Sequence, residues 1–207
     1  MRRNVVLILL VVATATMTAA DWPQWRGPNR DGQSSEAGLL ASWPSGGPRV
    51  LWKAQGLGEG YASMSVAGGR IYTQGQRGSQ EFVQALDVKT GAKVWETQTG
   101  RAFRESRGNG PRGTPTVDGD RLYAMAADGA LYCLEAATGK PIWSQNVVQK
   151  YGGSIIPWGM SESPLLDGNN LIVMPGGRGA SLVALNKMDG TLIWKSGNDG
   201  RACDLMC

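Results

Sequence analysis

Alternating apolar and polar residues recur in short runs, in the same order, along most of the chain. Arg70-Ile71-Tyr72 follows a Gly-Gly pair, and Arg121-Leu122-Tyr123 comes directly after an Asp-Gly-Asp turn. Such turns between alternating runs predict tight β-hairpins, because they need positive φ angles at their centre. A third run then leads through a second glycine-containing turn into a strand with a tryptophan. The pattern predicts four-stranded antiparallel meanders.

The second turn of each meander belongs to a segment that occurs three times, at Ala85–Trp95, Cys133–Trp143 and Ala184–Trp194. The three final tryptophans lie 48 and 51 residues apart, a spacing typical of repeat proteins. The repeated positions that we expect to be structural are Asp87, Thr90, Gly91, Trp95, Thr138, Gly139, Trp143, Asp189, Gly190 and Trp194. We expect each tryptophan ring to pack between neighbouring sheets, with its indole N–H directed at a backbone carbonyl.

Repeated meanders form a β-propeller when they surround an axis, whereas a flat stack would be a β-solenoid, usually with shorter periods. We therefore predict an all-β propeller with blades at residues 61–100, 110–148 and 158–197. Residues 21–60 form an N-terminal segment, and its stretch near 49–54 resembles the fourth, closing strand of a further unit.

A propeller has about four to eight blades, so the chain is predicted to be a partial ring of about three. Residues 198–207 lack the signature of a next blade and are interpreted as a truncated or aberrant tail. A half-ring would expose apolar surface and open edges, so missing blades or self-association are expected to be needed to close it. The alternatives are that the half-propeller is a genuine product or that the chain has no function of its own.

Residues 1–20 have the form of a secretory signal peptide. A basic start at Arg2 and Arg3 precedes an apolar run, and small residues end the segment at Ala20, after which we expect cleavage. The mature protein would then be periplasmic or extracellular and would have no stable membrane span. The alternative is an uncleaved membrane anchor.

Charge gives little indication of a partner. Removing Arg2 and Arg3 from the 21 basic residues leaves 19 against 17 acidic ones, too weak a bias to imply nucleic acid. A local cluster of arginines lies between the first two units, at Arg101, Arg104, Arg107 and Arg112. A solvated loop is one interpretation of this cluster, and a surface facing an anionic ligand is the other. The partner is an unknown protein or small-molecule ligand.

The chain contains no histidine, which excludes a Ser-His-Asp triad, a Cys-His pair and a His-based zinc or haem site within it. Of its three cysteines, Cys133 lies at an inward position of a predicted strand, where a free thiol packs as a small apolar group. We expect Cys133 to be buried and unpaired.

The pattern Ala-Leu-Asp-x-x-Thr-Gly-x-x-x-Trp at Ala85–Trp95 resembles the tryptophan-docking repeat of the pyrroloquinoline-quinone (PQQ) type β-propellers. The segments Asp21–Gly32, Gly110–Arg121 and Trp158–Pro164 resemble a narrower group of secreted bacterial PQQ-binding-like propeller proteins. The resemblance implies a quinoprotein-like propeller fold. It also makes PQQ a possible cofactor, with Ca²⁺ held by carboxylate and amide oxygens and an aspartate acting as base.

Three residues are candidates for binding a cofactor or ligand in a central funnel. Arg112, Trp158 and Glu162 lie in irregular segments just before the first strand of a unit, and first strands line the channel of a propeller. The alternative interpretation is that Arg112 and Glu162 satisfy backbone groups or pair across blades. The sequence predicts no catalytic residue and no metal ligand.

We therefore expect an exported PQQ-like propeller that acts as a binding or scaffold module without catalysis of its own. Most aspartates fall in Asp-Gly turns, and the adjacent cysteines that PQQ alcohol dehydrogenases use are missing. The alternative is part of a periplasmic PQQ- and Ca²⁺-dependent quinoprotein dehydrogenase.

Overall fold

The computed structural model describes residues 20–197 and contains three four-stranded antiparallel sheets. The first sheet consists of β1 (Ser65–Ala67), β2 (Arg70–Arg77), β3 (Gln80–Asp87) and β4 (Lys93–Arg101). The second consists of β5 (Thr116–Asp118), β6 (Arg121–Met125), β7 (Ala130–Glu135) and β8 (Pro141–Asn146). The third consists of β9 (Leu165–Asp167), β10 (Asn170–Val173), β11 (Leu182–Asn186) and β12 (Leu192–Ser196), and one short helix, α1 (Val147–Tyr151), follows β8.

Each sheet is a meander in which consecutive strands are neighbours. The first hairpin of the first sheet turns through Gly68 and Gly69, whose φ angles of 56° and 74° are costly for any residue with a Cβ. No sheet within residues 20–197 closes on itself, and the three sheets form part of a ring. The predicted all-β partial propeller is confirmed.

Apolar side chains fill the two spaces between neighbouring sheets. Between the first and second sheets, Tyr72 and Val83 pack against Leu122 and Leu134. Between the second and third sheets, the corresponding cluster includes Met125 and Leu171 among its buried residues. Because each sheet contributes to the packing on both of its faces, the core is a stack of interfaces and not one central cluster.

In three places a tryptophan docks on the glycine-containing turn of the sheet that follows it in the chain. The indole N–H groups donate to carbonyl oxygens as follows: Trp52 to Val88 at 3.1 Å, Trp95 to Ala136 at 3.0 Å and Trp143 to Lys187 at 3.2 Å. The rings lie directly over Gly91, Gly139 and Gly190, where a Cβ would approach a ring atom to within 2.4 to 2.9 Å. Only glycine leaves room for this contact.

The segment expected to supply a closing strand, near residues 49–54, forms no strand in the structure. Val50 and Leu51 are exposed, while Trp52 occupies the same kind of position against the first sheet that Trp95 occupies against the second. That this segment closes a ring remains a prediction.

Cys133 is fully buried and makes no disulfide, as predicted. Burial raises the pKa of its thiol, although the neighbouring Arg121 guanidinium acts in the opposite direction. Cys203, Cys207, the rest of the 198–207 tail and residues 1–19 of the predicted signal peptide lie outside the described residues. No helix within residues 20–197 is long and apolar enough to cross a membrane.

The docking contacts predict that replacing two tryptophans at equivalent repeat positions by alanine lowers the free energy of unfolding by different amounts. We expect Trp95→Ala to lower the free energy of unfolding by about 3–5 kcal/mol, because the buried ring fills the first interface. Trp194 is 40% exposed, so Trp194→Ala should cost about 1 kcal/mol or less. Urea denaturation of both variants measures the difference, and equal losses would contradict the docking model.

Candidate functional site

The first strands of the three sheets are joined by the N-terminal segment of the described chain. Trp22 and Val66 exchange two backbone hydrogen bonds of 2.7 and 2.8 Å, and the Val117 N–H donates to the Pro23 carbonyl at 2.8 Å. Arg30 then donates from its guanidinium to the Leu166 carbonyl in β9. Residues 22–30 therefore lie along β1, β5 and β9. These are the first strands of the three units, which the sequence analysis predicts to line a central channel.

Arg112 is held by groups of its own loop. Its guanidinium donates to Glu105 Oε1 at 2.8 Å, and to the carbonyls of Gly110 and Gly108 at 3.1 Å each. The same guanidinium lies over the Tyr61 ring, 5.0 Å from the centroid. These contacts use three of the five N–H donors of the guanidinium. Arg112 therefore stabilises the conformation of this loop.

Trp158 belongs to the same surface as Arg112. The exposed Arg107 guanidinium lies 5.2 Å from the centre of the Trp158 ring, and the Arg107 carbonyl accepts the hydroxyl of Tyr61 at 2.9 Å. We call Tyr61, Arg107, Arg112 and Trp158 the arginine-aromatic surface. The exposed parts of this surface are the cation of Arg107 and the ring of Tyr61, which is 61% exposed.

The Glu162 side chain bonds to the segment that follows β10. It is buried, and both of its carboxylate oxygens accept the backbone N–H of Met174, at 3.0 and 2.8 Å. Burial raises the pKa of the Glu162 carboxyl to about 7, although the Met174 hydrogen bond opposes the shift. Glu162 also lines a mainly apolar cavity of about 200 Å³ against Trp25 and Ile172.

The structure thus links Arg112 to Trp158 through Tyr61 and Arg107, whereas the Glu162 carboxylate bonds to the Met174 N–H. Both residues bond to backbone groups, Glu162 to the Met174 N–H and Arg112 to the carbonyls of Gly108 and Gly110. Whether any of the three binds a ligand remains a prediction.

These residues do not fit a quinone and Ca²⁺ site. Both oxygens of Glu162 are engaged by Met174, the Arg112 donors are engaged by Glu105 and two carbonyls, and residues 22–30 cover the first strands. Within the described range, no group of three or more His, Cys, Asp or Glu could hold a metal ion.

The sequence does not indicate a role for Tyr61 or Glu105, and it shows Arg107 only as one of a cluster of arginines. Tyr61 and Trp158 reach these arginines from segments about 50 residues away. No local pattern encodes these contacts, so only the fold reveals the surface.

Comparison with known proteins identifies the family. A family model described as outer membrane protein assembly factor BamB matches residues 33–110 and 79–206. The three meander sheets with docked tryptophans define the class of PQQ-like β-propellers. The chain belongs to this family.

Two similar curated proteins carry different names. The outer membrane protein assembly factor BamB of Shewanella oneidensis is 27% identical over 161 residues, which cover 77% of this chain and 39% of that protein. The quinohemoprotein alcohol dehydrogenase of Comamonas testosteroni is 36% identical over 81 residues, which cover 37% of this chain and 11% of that enzyme. The chain therefore spans well under half the length of these relatives.

A solved structure supports the fold. The crystal structure of the Comamonas testosteroni quinohemoprotein alcohol dehydrogenase superposes with a TM-score of 0.54 at 21% identity, covering 86% of this chain and 27% of that one. At this level of identity the likeness concerns the fold alone.

The raised pKa of Glu162 predicts that stability depends on pH. A folded-state pKa of about 7, above the ordinary 4.5, means that the stabilisation is complete below about pH 4.5 and is lost as the pH rises through about 7. We expect the free energy of unfolding to fall by about 2–3 kcal/mol per such group between pH 5 and 8.

Urea denaturation at constant ionic strength measures this dependence. The Glu162→Gln side chain cannot ionise, so the variant should lose the part of the pH dependence that Glu162 causes. A smaller decrease in the free energy of unfolding with pH should remain from Glu81, whose pKa is also raised to about 7. A Glu162→Gln variant with the full wild-type slope would show that the carboxyl does not titrate as described.

Proposed function

We propose that the chain is an exported PQQ-like β-propeller that acts as a non-catalytic binding or scaffold module. The name of the matching family suggests a partner class: proteins engaged in outer-membrane protein assembly. The chain would bind such a partner through its irregular segments, while the sheets serve as a rigid support.

One observation favours a binding role over a catalytic role. The polar residues that sequence analysis placed in a funnel are bonded within the chain, Glu162 to Met174 and Arg112 to Glu105. Groups committed to structural hydrogen bonds are poorly available to a substrate, whereas the arginine-aromatic surface leaves Arg107 and Tyr61 exposed. Arginine and tyrosine are enriched at protein interfaces, and this surface would suit an acidic protein segment.

Loss of the gene is expected to lower the level of folded outer-membrane β-barrel proteins, and the wild-type gene should restore it. Arg107→Glu reverses the exposed charge and should reduce the restoration several-fold. Lys195→Glu makes the same reversal on the exposed strand β12 and should restore fully. Heat-modifiable gel migration of the β-barrels measures the effect.

Thermal unfolding of both variants first establishes that each is folded. Unchanged β-barrel levels in the deletion strain would refute the assembly role. Full restoration by Arg107→Glu would refute the role of the surface.

Export is tested separately from binding. We expect the mature protein to begin at Asp21, because the small residues before it suit signal peptidase. Cell fractionation with N-terminal mass determination checks this. An intact Met1 in a membrane pellet would instead favour the uncleaved anchor.

The second candidate function is part of a PQQ-dependent dehydrogenase. The 36% identity to the quinohemoprotein alcohol dehydrogenase over 81 residues is the observation that favours it. Addition of PQQ and Ca²⁺ to the purified chain, followed by dye-coupled oxidation of alcohols or sugars, tests it. Dye reduction would support the dehydrogenase and overturn the non-catalytic proposal.

A further inference from the structure

The third sheet carries the same set of positions that the first and second sheets use to pack on the sheet that follows them. Three cross-strand neighbours form the centre of this face in each sheet. They are Tyr72, Ala85 and Trp95 in the first sheet, Tyr123, Cys133 and Trp143 in the second, and Ile172, Ala184 and Trp194 in the third. We call the face of the third sheet around these last three residues the donor face.

The donor face is covered less completely than its two equivalents. Trp95 is 9% exposed, whereas Trp194 is 40% exposed. A mainly apolar cavity of about 200 Å³ lies against Ile172 and Leu182 on this side of the sheet. Among residues 20–197 there is no fourth sheet to pack here. The donor face is therefore half of a sheet interface whose other half is missing from a single copy.

The first sheet carries a face that matches the missing half. Ile71 pairs with Leu86 in the same register in which Leu122 pairs with Leu134 in the second sheet. Leu122 and Leu134 are the residues of the second sheet on which the first sheet packs. Ile71 and Leu86 lie on the opposite side of their sheet from Tyr72, because successive side chains of a strand alternate. We call this side of the first sheet the receiving face.

A segment without strand structure covers the receiving face in the single chain. The Trp52 ring lies on Gly91, and the Gln84 amide donates to the Leu57 carbonyl at 2.7 Å. Residues 49–57 nevertheless form no strand, and both Val50 and Leu51 are exposed. The second and third sheets are instead packed against a complete sheet on the equivalent side. A sheet could therefore replace this segment on the receiving face.

We propose that the donor face of one copy packs on the receiving face of a second copy, where Trp194 takes the place of Trp52 on Gly91. Two such head-to-tail contacts related by a two-fold axis close a ring of six sheets. Six lies within the range of about four to eight blades that propellers have. Missing blades and self-association are the two expected ways to close the ring, and a receiving face on the same chain favours the second. The contact does not depend on the proposed function.

Sedimentation velocity of the purified protein over a concentration series tests the contact, because it measures both the mass and the Kd of association. We expect a monomer on dilution and a dimer at high concentration. Trp194→Ala should raise the Kd at least about tenfold, because tryptophans at the centre of an interface carry much of its binding energy. Trp43→Ala is the matched control, since it removes a ring that is 64% exposed and belongs to neither face. It should leave the Kd unchanged.

Two further variants test the exchange of tryptophans. Trp52→Ala removes the ring that competes for Gly91, so it should lower the Kd for association several-fold. Gly91→Ala places a Cβ where either ring would lie, so it should raise the Kd at least about tenfold. A pairing of two donor faces with each other would respond to Trp194→Ala but not to the changes at Trp52 and Gly91.

Three results would overturn the proposal. The first is a wild-type protein that stays monomeric at every concentration, which would leave the donor face to further blades or to a different partner. The second is a wild-type Kd in Trp194→Ala, and the third is a Kd that is unchanged or raised in Trp52→Ala. Circular dichroism establishes that each variant is folded. If Gly91→Ala does not fold, Trp52→Ala still decides, because a loss of structure does not imitate tighter association.

Discussion

The structure depends on one repeated contact, in which a tryptophan ring lies on a glycine. The indole N–H of the tryptophan donates a hydrogen bond to a backbone carbonyl of the turn that contains this glycine. The contact combines burial of a large aromatic surface with a directional hydrogen bond, so it fixes both the distance and the orientation of neighbouring sheets. It requires glycine because a Cβ at Gly139 would lie 2.4 Å from a Trp95 ring atom. The other inter-sheet contacts are less specific, since apolar side chains can pack in several ways.

This division of roles explains how the interfaces can differ. Where the tryptophan sets the spacing, the positions further along the strands are free to vary, and the first interface uses Gln74 and Gln76 where the second uses Met125 and Ala127. Chemistry specific to one blade is therefore compatible with a strictly repeated frame. The irregular segments that enter β5 and β9 supply the other variable surface, formed around Arg107 and Trp158.

The features predictable from sequence are those set by local turn chemistry and by the repeat period. The glycine turns and the alternating runs predict the meanders, and the spacing of 48 and 51 residues between tryptophans predicts the propeller class. The helix α1 was missed, although Asn146 at its N-cap and Gly152 at its C-cap are recognisable signals.

The candidate site was less predictable because its contacts join distant segments. Nothing near Glu162 in sequence shows that the Met174 N–H needs an acceptor. Likewise, the position of Tyr61 against Arg112 results from how the first two sheets pack.

The N-terminal segment contacts all three sheets. The contacts of residues 22–30 extend to Val66, Val117 and Leu166, the last of these 136 residues beyond Arg30. Contacts between residues so far apart in sequence carry a cost in loop entropy and slow folding. Because the last of them joins Arg30 to Leu166, a piece of the chain that lacks either end of this span cannot hold all three sheets through the same segment.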